Sequence, residues 1–299
     1  MKKVFVDGQE GTTGLQIREK LLTRKGIELL EIEPELRKDT KRRAELLNAA
    51  DIAFLCLPDD AAKESVALVQ NPNTIIIDTS TAHRTNAQWA YGLPELSPSH
   101  EEAVKKSKRI ANPGCHATGF LLAVYPLVAK GIIKLDENLS CYSVTGYSGG
   151  GKKMIAEYKE NFDPSVKPYA LGLCHKHLPE MQKIAELKNP PLFNPILGPY
   201  YQGMAVTVSL FPNMLNGINS FDELRNFLTD YYKDCEYVRV VPTGENPSIL
   251  DPTMCNNTNN AKIFVFGREE HGQITVVLDN LGKGASGAAI QNMEISIND

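Results

Sequence analysis

No two of the six cysteines, Cys56, Cys115, Cys141, Cys174, Cys235 and Cys255, stand in a C-x-x-C pair. Neither a zinc site nor a disulfide framework has support in the sequence. Charge of one sign is not in excess either: 32 basic residues face 36 acidic ones, a formal net charge of −4. The chain therefore carries no global electrostatic footprint for nucleic acid or an anionic membrane. No apolar run is long enough to span a bilayer. The first residues, Met1 to Asp7, lack the sustained apolar stretch of a secretory signal, and no internal repeat stands out. The expectation is a cytoplasmic protein with reduced thiols.

What is present is an ordinary globular composition, 42% hydrophobic and 23% charged over 299 residues, a length that favours two domains or one large one. The strand-like run Val4-Phe5-Val6 is followed by Gly8, Gly11 and Gly14 and then by apolar residues at helical spacing, Leu15, Ile17, Leu21 and Leu22. Residues 27–32, 51–57 and 74–78 read as further strands, and 39–50 and 61–70 as helices between them. Such alternation predicts a parallel sheet covered on both faces. Beyond Cys115, strand-like runs at 139–144, 205–210, 237–241, 262–266 and 273–278 have few helices between them, which suits a mixed or antiparallel α+β domain. The expected fold is thus α/β, with a Rossmann-type cofactor domain over residues 1–114 and an α+β substrate domain over 115–274. The last segment, 275–299, carries an alanine-rich helix expected to return to the cofactor domain.

The turn from Gly8 to Gly14 lies where a first strand hands over to a first helix. Glycines there permit the close approach of a pyrophosphate, whose charge meets the unpaired N–H groups at the helix start, and Thr12 and Thr13 can add hydroxyls. Glu31 and Glu33 fall near the end of the second strand, where an acid favours the ribose of NAD, while Arg37, Lys38, Arg42 and Arg43 favour the extra phosphate of NADP. Both cofactors stay open at this point. A second glycine-rich turn, residues 145–153, offers an anion nest with Ser148 and two lysines, and a flexible loop is its bland alternative.

Cys115 follows Asn112-Pro113-Gly114 and precedes a long apolar helix, so it sits at or just before a helix N-terminus, which favours thiolate over thiol. A free cysteine is ordinarily core filling, a reading that suits Cys56 and Cys141. The polar neighbours His116 and Thr118 make Cys115 the candidate nucleophile. His175 and His177 would share a face if their segment is extended, and His177 would precede a helix opened by Pro179 and Glu180, where the dipole keeps a neutral base. A metal pair lacks a third ligand cluster.

In chain order, Asp7-Gly8-x-x-Gly11-Thr12-Thr13-Gly14, Asp78-Thr79-Ser80 with His83-Arg84, Tyr91-Gly92-Leu93-Pro94-Glu95, Asn112-Pro113-Gly114-Cys115, Ser148-Gly149-x-Gly151-Lys152, His175-x-His177-x-Pro179-Glu180 and Asp279-Asn280-Leu281-x-Lys283-Gly284 resemble the short form of the N-acetyl-gamma-glutamyl-phosphate reductases. The resemblance implies NADPH-dependent reduction of an acyl phosphate to an aldehyde in arginine biosynthesis. Cys115 would be the nucleophile and His177 the general base/acid, with His175, Tyr169, Glu180 and Arg84 supporting it or holding substrate. Gly8, Gly11, Thr12, Thr13, Gly14, Ser148, Gly149, Asn280 and Lys283 would line the cofactor. No metal takes part, and the partners are the small-molecule acyl phosphate and inorganic phosphate, in a homo-oligomer, dimer or tetramer. An aspartate or lysine-pathway semialdehyde dehydrogenase uses the same cysteine logic, and a Cys-His thiol hydrolase is the alternative from another class.

Overall fold

The computed structural model describes residues 1–297. The chain divides into two compact units, the first made of residues 1–113 with the segment from Ala285 onward, the second of Gly114–Gly284. In the first unit β1 (Lys2–Asp7), α1 (Thr12–Leu22), β2 (Ile27–Leu30), α2 (Thr40–Ala49), β3 (Ile52–Leu55), α3 (Asp59–Leu68) and β4 (Ile75–Asp78) alternate, followed by β5 (Ala90–Tyr91), α4 (Pro98–Lys106) and β6 (Arg109–Ala111). The strands form one sheet in the order β2-β1-β3-β4-β6-β5, with every pairing parallel.

The unbroken apolar run of β3, buried at every position, is what a central parallel strand needs when helices cover both faces. Alternate residues go to opposite faces. Val4, Val6, Ile52, Phe54 and Ile77 enter one core with Ile17 and Leu21 of α1, while Phe5, Ala53, Leu55 and Ile76 enter the other with Leu46 and Leu47 of α2. The strand order reverses between β1 and β3. The crevice beyond the carboxyl end of β1, where such sheets take ligands, is therefore the place occupied by the first glycine turn.

The second unit opens with α5 (Cys115–Ala129) and continues through β7 (Ser140–Gly146), α6 (Gly151–Glu160), β8 (Lys167–Pro168), α7 (Leu178–Ile184), β9 (Leu192–Gly198), β10 (Met204–Leu210), α8 (Phe221–Tyr232), β11 (Val238–Val240), β12 (Ala261–Gly267) and β13 (Gly272–Leu278). Its seven strands run in the order β11-β12-β13-β10-β7-β9-β8. Antiparallel pairings at the centre are flanked by the parallel pairs β7 with β9 and β11 with β12, a mixed sheet as expected. α5 lies across β10, β13 and β12 and is apolar nearly all round, which marks a helix buried on every side.

β9, α6 and α8 depart from the sequence expectation of few helices and five strands. Pro195 interrupts the apolar run of β9 and argues against an inner strand. Its carbonyl, on the side away from β7, accepts from Tyr169 N at 3.0 Å, where the partner strand β8 is only two residues long. The missing N–H thus falls on what is nearly an edge. Ser220 caps α8 by accepting from Glu223 N at 3.1 Å.

The last helix, α9 (Gly287–Ile297), belongs to the first unit, where Ala289, Ile290 and Met293 join the core on the α1 face. β13 runs across position 275 and lies wholly in the second unit.

Candidate active site

Gly114 is the N-cap of α5, and Cys115 is its first residue. The thiol therefore stands in the first turn, where unsatisfied N–H groups concentrate positive charge. Two contacts fix the approach. Glu180 Oε2 accepts from Gly114 N at 3.2 Å, and the turn 282–286 brings Gly284 so near that a Cβ there would lie 2.6 Å from Cys115 Cβ. Only a residue without a side chain fits there.

Beside Cys115, His116 is buried and is the hub of a ring cluster. Its Nδ1 is 2.9 Å from Ser143 Oγ and its Nε2 2.9 Å from Tyr169 Oη, and the rings of His175, His177 and Phe193 lie with centroids 5.3, 5.5 and 5.2 Å away. Burial, then the charges of His175 and Lys176, push His116 down to about 3. Burial and Lys176 push His175 down to about 4. Both imidazoles are neutral at pH 7. Burial and, second to it, the neighbouring Cys115 charge raise the Tyr169 hydroxyl above its ordinary range, so it stays protonated beside the sulfur.

His177 is the N-cap residue of α7 and is buried; its N–H donates to His175 Nδ1 at 3.1 Å, which makes that nitrogen the acceptor and leaves Nε2 of neutral His175 carrying the proton. Cys115, Tyr169, His175, His177 and Glu180 are thus drawn into one neighbourhood of the second unit. In the sequence alone, His116 reads only as a polar neighbour of the cysteine. The available signal was a histidine in the first turn of an otherwise apolar helix, a position that demands a buried partner, here Ser143 on the inward face of β7.

In the first unit, Gly8 has φ +88, and a Cβ there would overlap the Cys56 carbonyl; a Cβ at Gly14 would overlap the Gly8 carbonyl. Gly11 is different, since its Cβ would meet nothing nearer than 3.4 Å. Protein packing requires the outer glycines, while the middle one keeps open the space a pyrophosphate would enter. Thr12 Oγ1, buried at the start of α1, has no hydrogen-bond partner within the described residues. These features fit a dinucleotide. Arg43 is engaged by Asp7 at 2.9 Å and by Ser65, and Arg42 grips Glu33 through two 3.0 Å bonds, while Arg18 pairs with Glu31 at 2.5 Å.

The second glycine turn, expected as a nest or a flexible loop, is a 3-10 turn leading into α6. Ser148 Oγ accepts from Asn280 Nδ2 at 3.0 Å, Asn280 Oδ1 accepts from Gly203 N at 2.7 Å, and a Cβ at Gly149 would meet nothing within 3.4 Å. Lys283 is fully buried, its ammonium 5.5 Å from the Tyr237 ring centroid. Arg84 belongs to the first unit, where it donates to the carbonyls of Asn112 and Thr79 at 2.9 Å each.

Residues 3–104 match the family model described as semialdehyde dehydrogenase, NAD binding domain, and residues 115–280 the one described as semialdehyde dehydrogenase, dimerisation domain. The N-acetyl-gamma-glutamyl-phosphate reductase of Chelativorans sp. (strain BNC1) is 45% identical over 99% of this chain and 98% of its own, and N-acetyl-gamma-glutamyl-phosphate reductase 2 of Pseudomonas putida 43% over 98% and 96%. The chain belongs to the N-acetyl-gamma-glutamyl-phosphate reductase family. That family reading carries an NAD(P)-binding domain with it, and the glycine turn lies within the matched residues. The fold of an N-acetyl-gamma-glutamyl-phosphate reductase is shared with solved semialdehyde dehydrogenases. Aspartate semialdehyde dehydrogenase II of Vibrio cholerae, complexed with ASA, has a TM-score of 0.76 at 16% identity, covering 100% of this chain and 99% of its own. The enzyme of Candida albicans with NADP has 0.72 at 18%, over 99% and 98%.

Proposed function

We propose that this reductase converts N-acetyl-gamma-glutamyl phosphate to N-acetylglutamate 5-semialdehyde and inorganic phosphate through a thioester on Cys115, with NADPH as the reductant. What carries this reading is the cysteine in the first turn of α5, surrounded by groups that can move one proton while carrying no charge of their own. The Cys115 thiolate attacks the acyl carbon, the C–S bond forms and the C–O bond to phosphate breaks, so phosphate leaves with its electron pair. When bound, the nicotinamide would supply the hydride that the acyl carbon needs. Cys115 then departs as thiolate when the C–S bond breaks, and His177 or His175 exchanges the proton that attack and release require.

Tyr169, held by His116 at 2.9 Å and carrying its proton at pH 7, serves as a donor to oxygen charge that develops next to the sulfur. Glu180 positions the start of α5 rather than the substrate, because its carboxylate takes the Gly114 N–H. Arg84 acts in the same way, holding the Asn112 carbonyl and so bracing the segment that leads to the cysteine. Gly8, Gly11, Thr12, Thr13 and Gly14, with Ser148, Gly149, Asn280 and Lys283, line the cofactor. Arg42 and Arg18 counter the acids at positions 33 and 31, which supports NADP over NAD. The enzyme works in the cytoplasm as a homo-oligomer, dimer or tetramer, in keeping with the family description of its second domain.

The test is cofactor reduction by purified protein with N-acetylglutamate semialdehyde, with and without phosphate. Phosphate-dependent formation of NADPH, faster than that of NADH, is the expected result. Reduction with aspartate semialdehyde alone would move the substrate assignment to the relatives that share only the fold.

A further inference from the structure

The second unit holds a cavity of about 1030 Å³ at the end of its sheet where β12 turns into β13. It lies far from the catalytic cysteine. Gly119 of α5 meets Val206 and Leu278, whereas the cavity is lined by Leu210 and Gly272, at the other ends of the same two strands. Strand rise puts Leu278 and Gly272 roughly 20 Å apart and Val206 and Leu210 roughly 13 Å apart. The floor is the Phe221 ring, seated on the hairpin glycines Gly267 and Gly272, where any Cβ would overlap it. Phe211, Leu215 and Ile218 form an apolar wall.

Two buried polar groups line this space without full partners. β11 ends at Val240, and the next outward carbonyl of β12, that of Val265, accepts instead from Arg225 Nη2 at 2.5 Å and Asn246 Nδ2 at 3.2 Å. The two head groups therefore converge. Arg225 is 6% exposed, and its Nε makes no hydrogen bond within the described residues; nor does Asn246 Oδ1, which is buried beside it. The Arg225 guanidinium is paired through Nη1 with Asp222 and Thr243, so what is left over is one buried N–H without an acceptor and one amide carbonyl without a donor, each of which costs stability unless a bound molecule supplies both. The charged lining is balanced, Asp222 and Glu269 against Arg225 and Arg268, which favours a ligand of no net charge. The cavity volume suits a small organic molecule.

We propose that this cavity is a second ligand site, separate from the catalytic one, that takes a small zwitterion with an apolar body, of the class of the apolar α-amino acids. The carboxylate accepts from Arg225 Nε, the ammonium donates to Asn246 Oδ1, and the side chain lies on Phe221, Leu215 and Ile218. Calorimetric titration of the full chain with L-leucine, L-methionine and L-phenylalanine tests this, with N-acetyl-L-leucine and isoamylamine as probes that each lack one charged end. At least one amino acid binds saturably at one per chain, and each truncated probe binds about tenfold more weakly or worse, the loss expected for one charged hydrogen bond. Ile218→Trp, which fills the cavity from its partly exposed wall, removes binding, as does Asn246→Leu; Cys115→Ser leaves it unchanged. If Asn246→Leu does not fold, the Ile218→Trp and Cys115→Ser titrations still decide. No saturable binding by any of the three amino acids, equal binding of the truncated probes, or loss of binding in Cys115→Ser with retention in Ile218→Trp would each overturn the proposal.

Discussion

Gly284→Ala should disable the enzyme without replacing any group that takes part in chemistry. The added Cβ would stand 2.6 Å from Cys115 Cβ and 3.2 Å from its Cα, with the Asp279 carbonyl at 3.2 Å on another side. Non-bonded carbons rest about 3.5–4.0 Å apart. The alanine and the cysteine must therefore separate by roughly 1 Å, and the carbonyl behind the new methyl limits retreat on one side. Displacements of that size at a reacting centre cost about a hundredfold in rate, and overpacking a tight site costs about 1–3 kcal/mol of stability. Steady-state rates in the phosphate-dependent assay, with a urea melt of the same protein, separate the two effects. A kcat/KM within about twofold of the parent, in a folded Gly284→Ala protein, would refute the idea that this contact sets the position of the sulfur.

Four more outcomes follow from the same geometry. Cys115→Ala abolishes turnover with an unchanged melt. His177→Gln slows turnover by about a hundredfold or more if it moves the proton, and an unchanged rate, with loss in His175→Gln, transfers the role. Arg42→Ala raises KM for NADPH about tenfold and leaves that for NADH nearly unaltered, as read from paired cofactor titrations. His116, held at about 3 against an ordinary 6.5, binds its proton more weakly folded than unfolded. Between those values the unfolded chain takes up more protons, so stability rises with pH and is lost on acidification below about 6.5. Each pH unit in that window is worth at most about 1.4 kcal/mol per such group. Urea midpoints from pH 6.5 to 4 should fall less steeply in His116→Gln than in the parent.

The parallel sheet was legible because its strands are apolar runs of a kind only a doubly covered sheet needs: Ile52 to Leu55 offers no polar face at all. β9 was not, because Pro195 and Asn194 break its pattern, and what makes the proline tolerable is the shortness of a neighbouring strand that pairs from far away in sequence. α8 hides in the same way behind its polar half, Asp222, Glu223 and Asn226, although Phe221, Leu224, Leu228 and Tyr232 recur at helical spacing. At the site, the cysteine announced itself by the Pro-Gly lead-in and the helix that follows. The partnership of His116 with Ser143 and Tyr169 joins residues 27 and 53 positions apart, which no local pattern encodes.

Asn112 Nδ2 donates to the Ala285 carbonyl at 3.0 Å, so the two ends that the first unit offers to the second are neighbours. Gly114–Cys115 and Gly284, the ends of the second, adjoin as well. A segment whose ends meet can be spliced into a host whose open ends meet without stretching either. As gene architecture, residues 114–284 have the form of a cassette set into a nucleotide-binding chain, and Cys115 sits one residue inside the joint. Exchanging the cassette would change the substrate while keeping the reductant, and joining residue 113 to 285 through a short linker should leave a first unit able to fold alone.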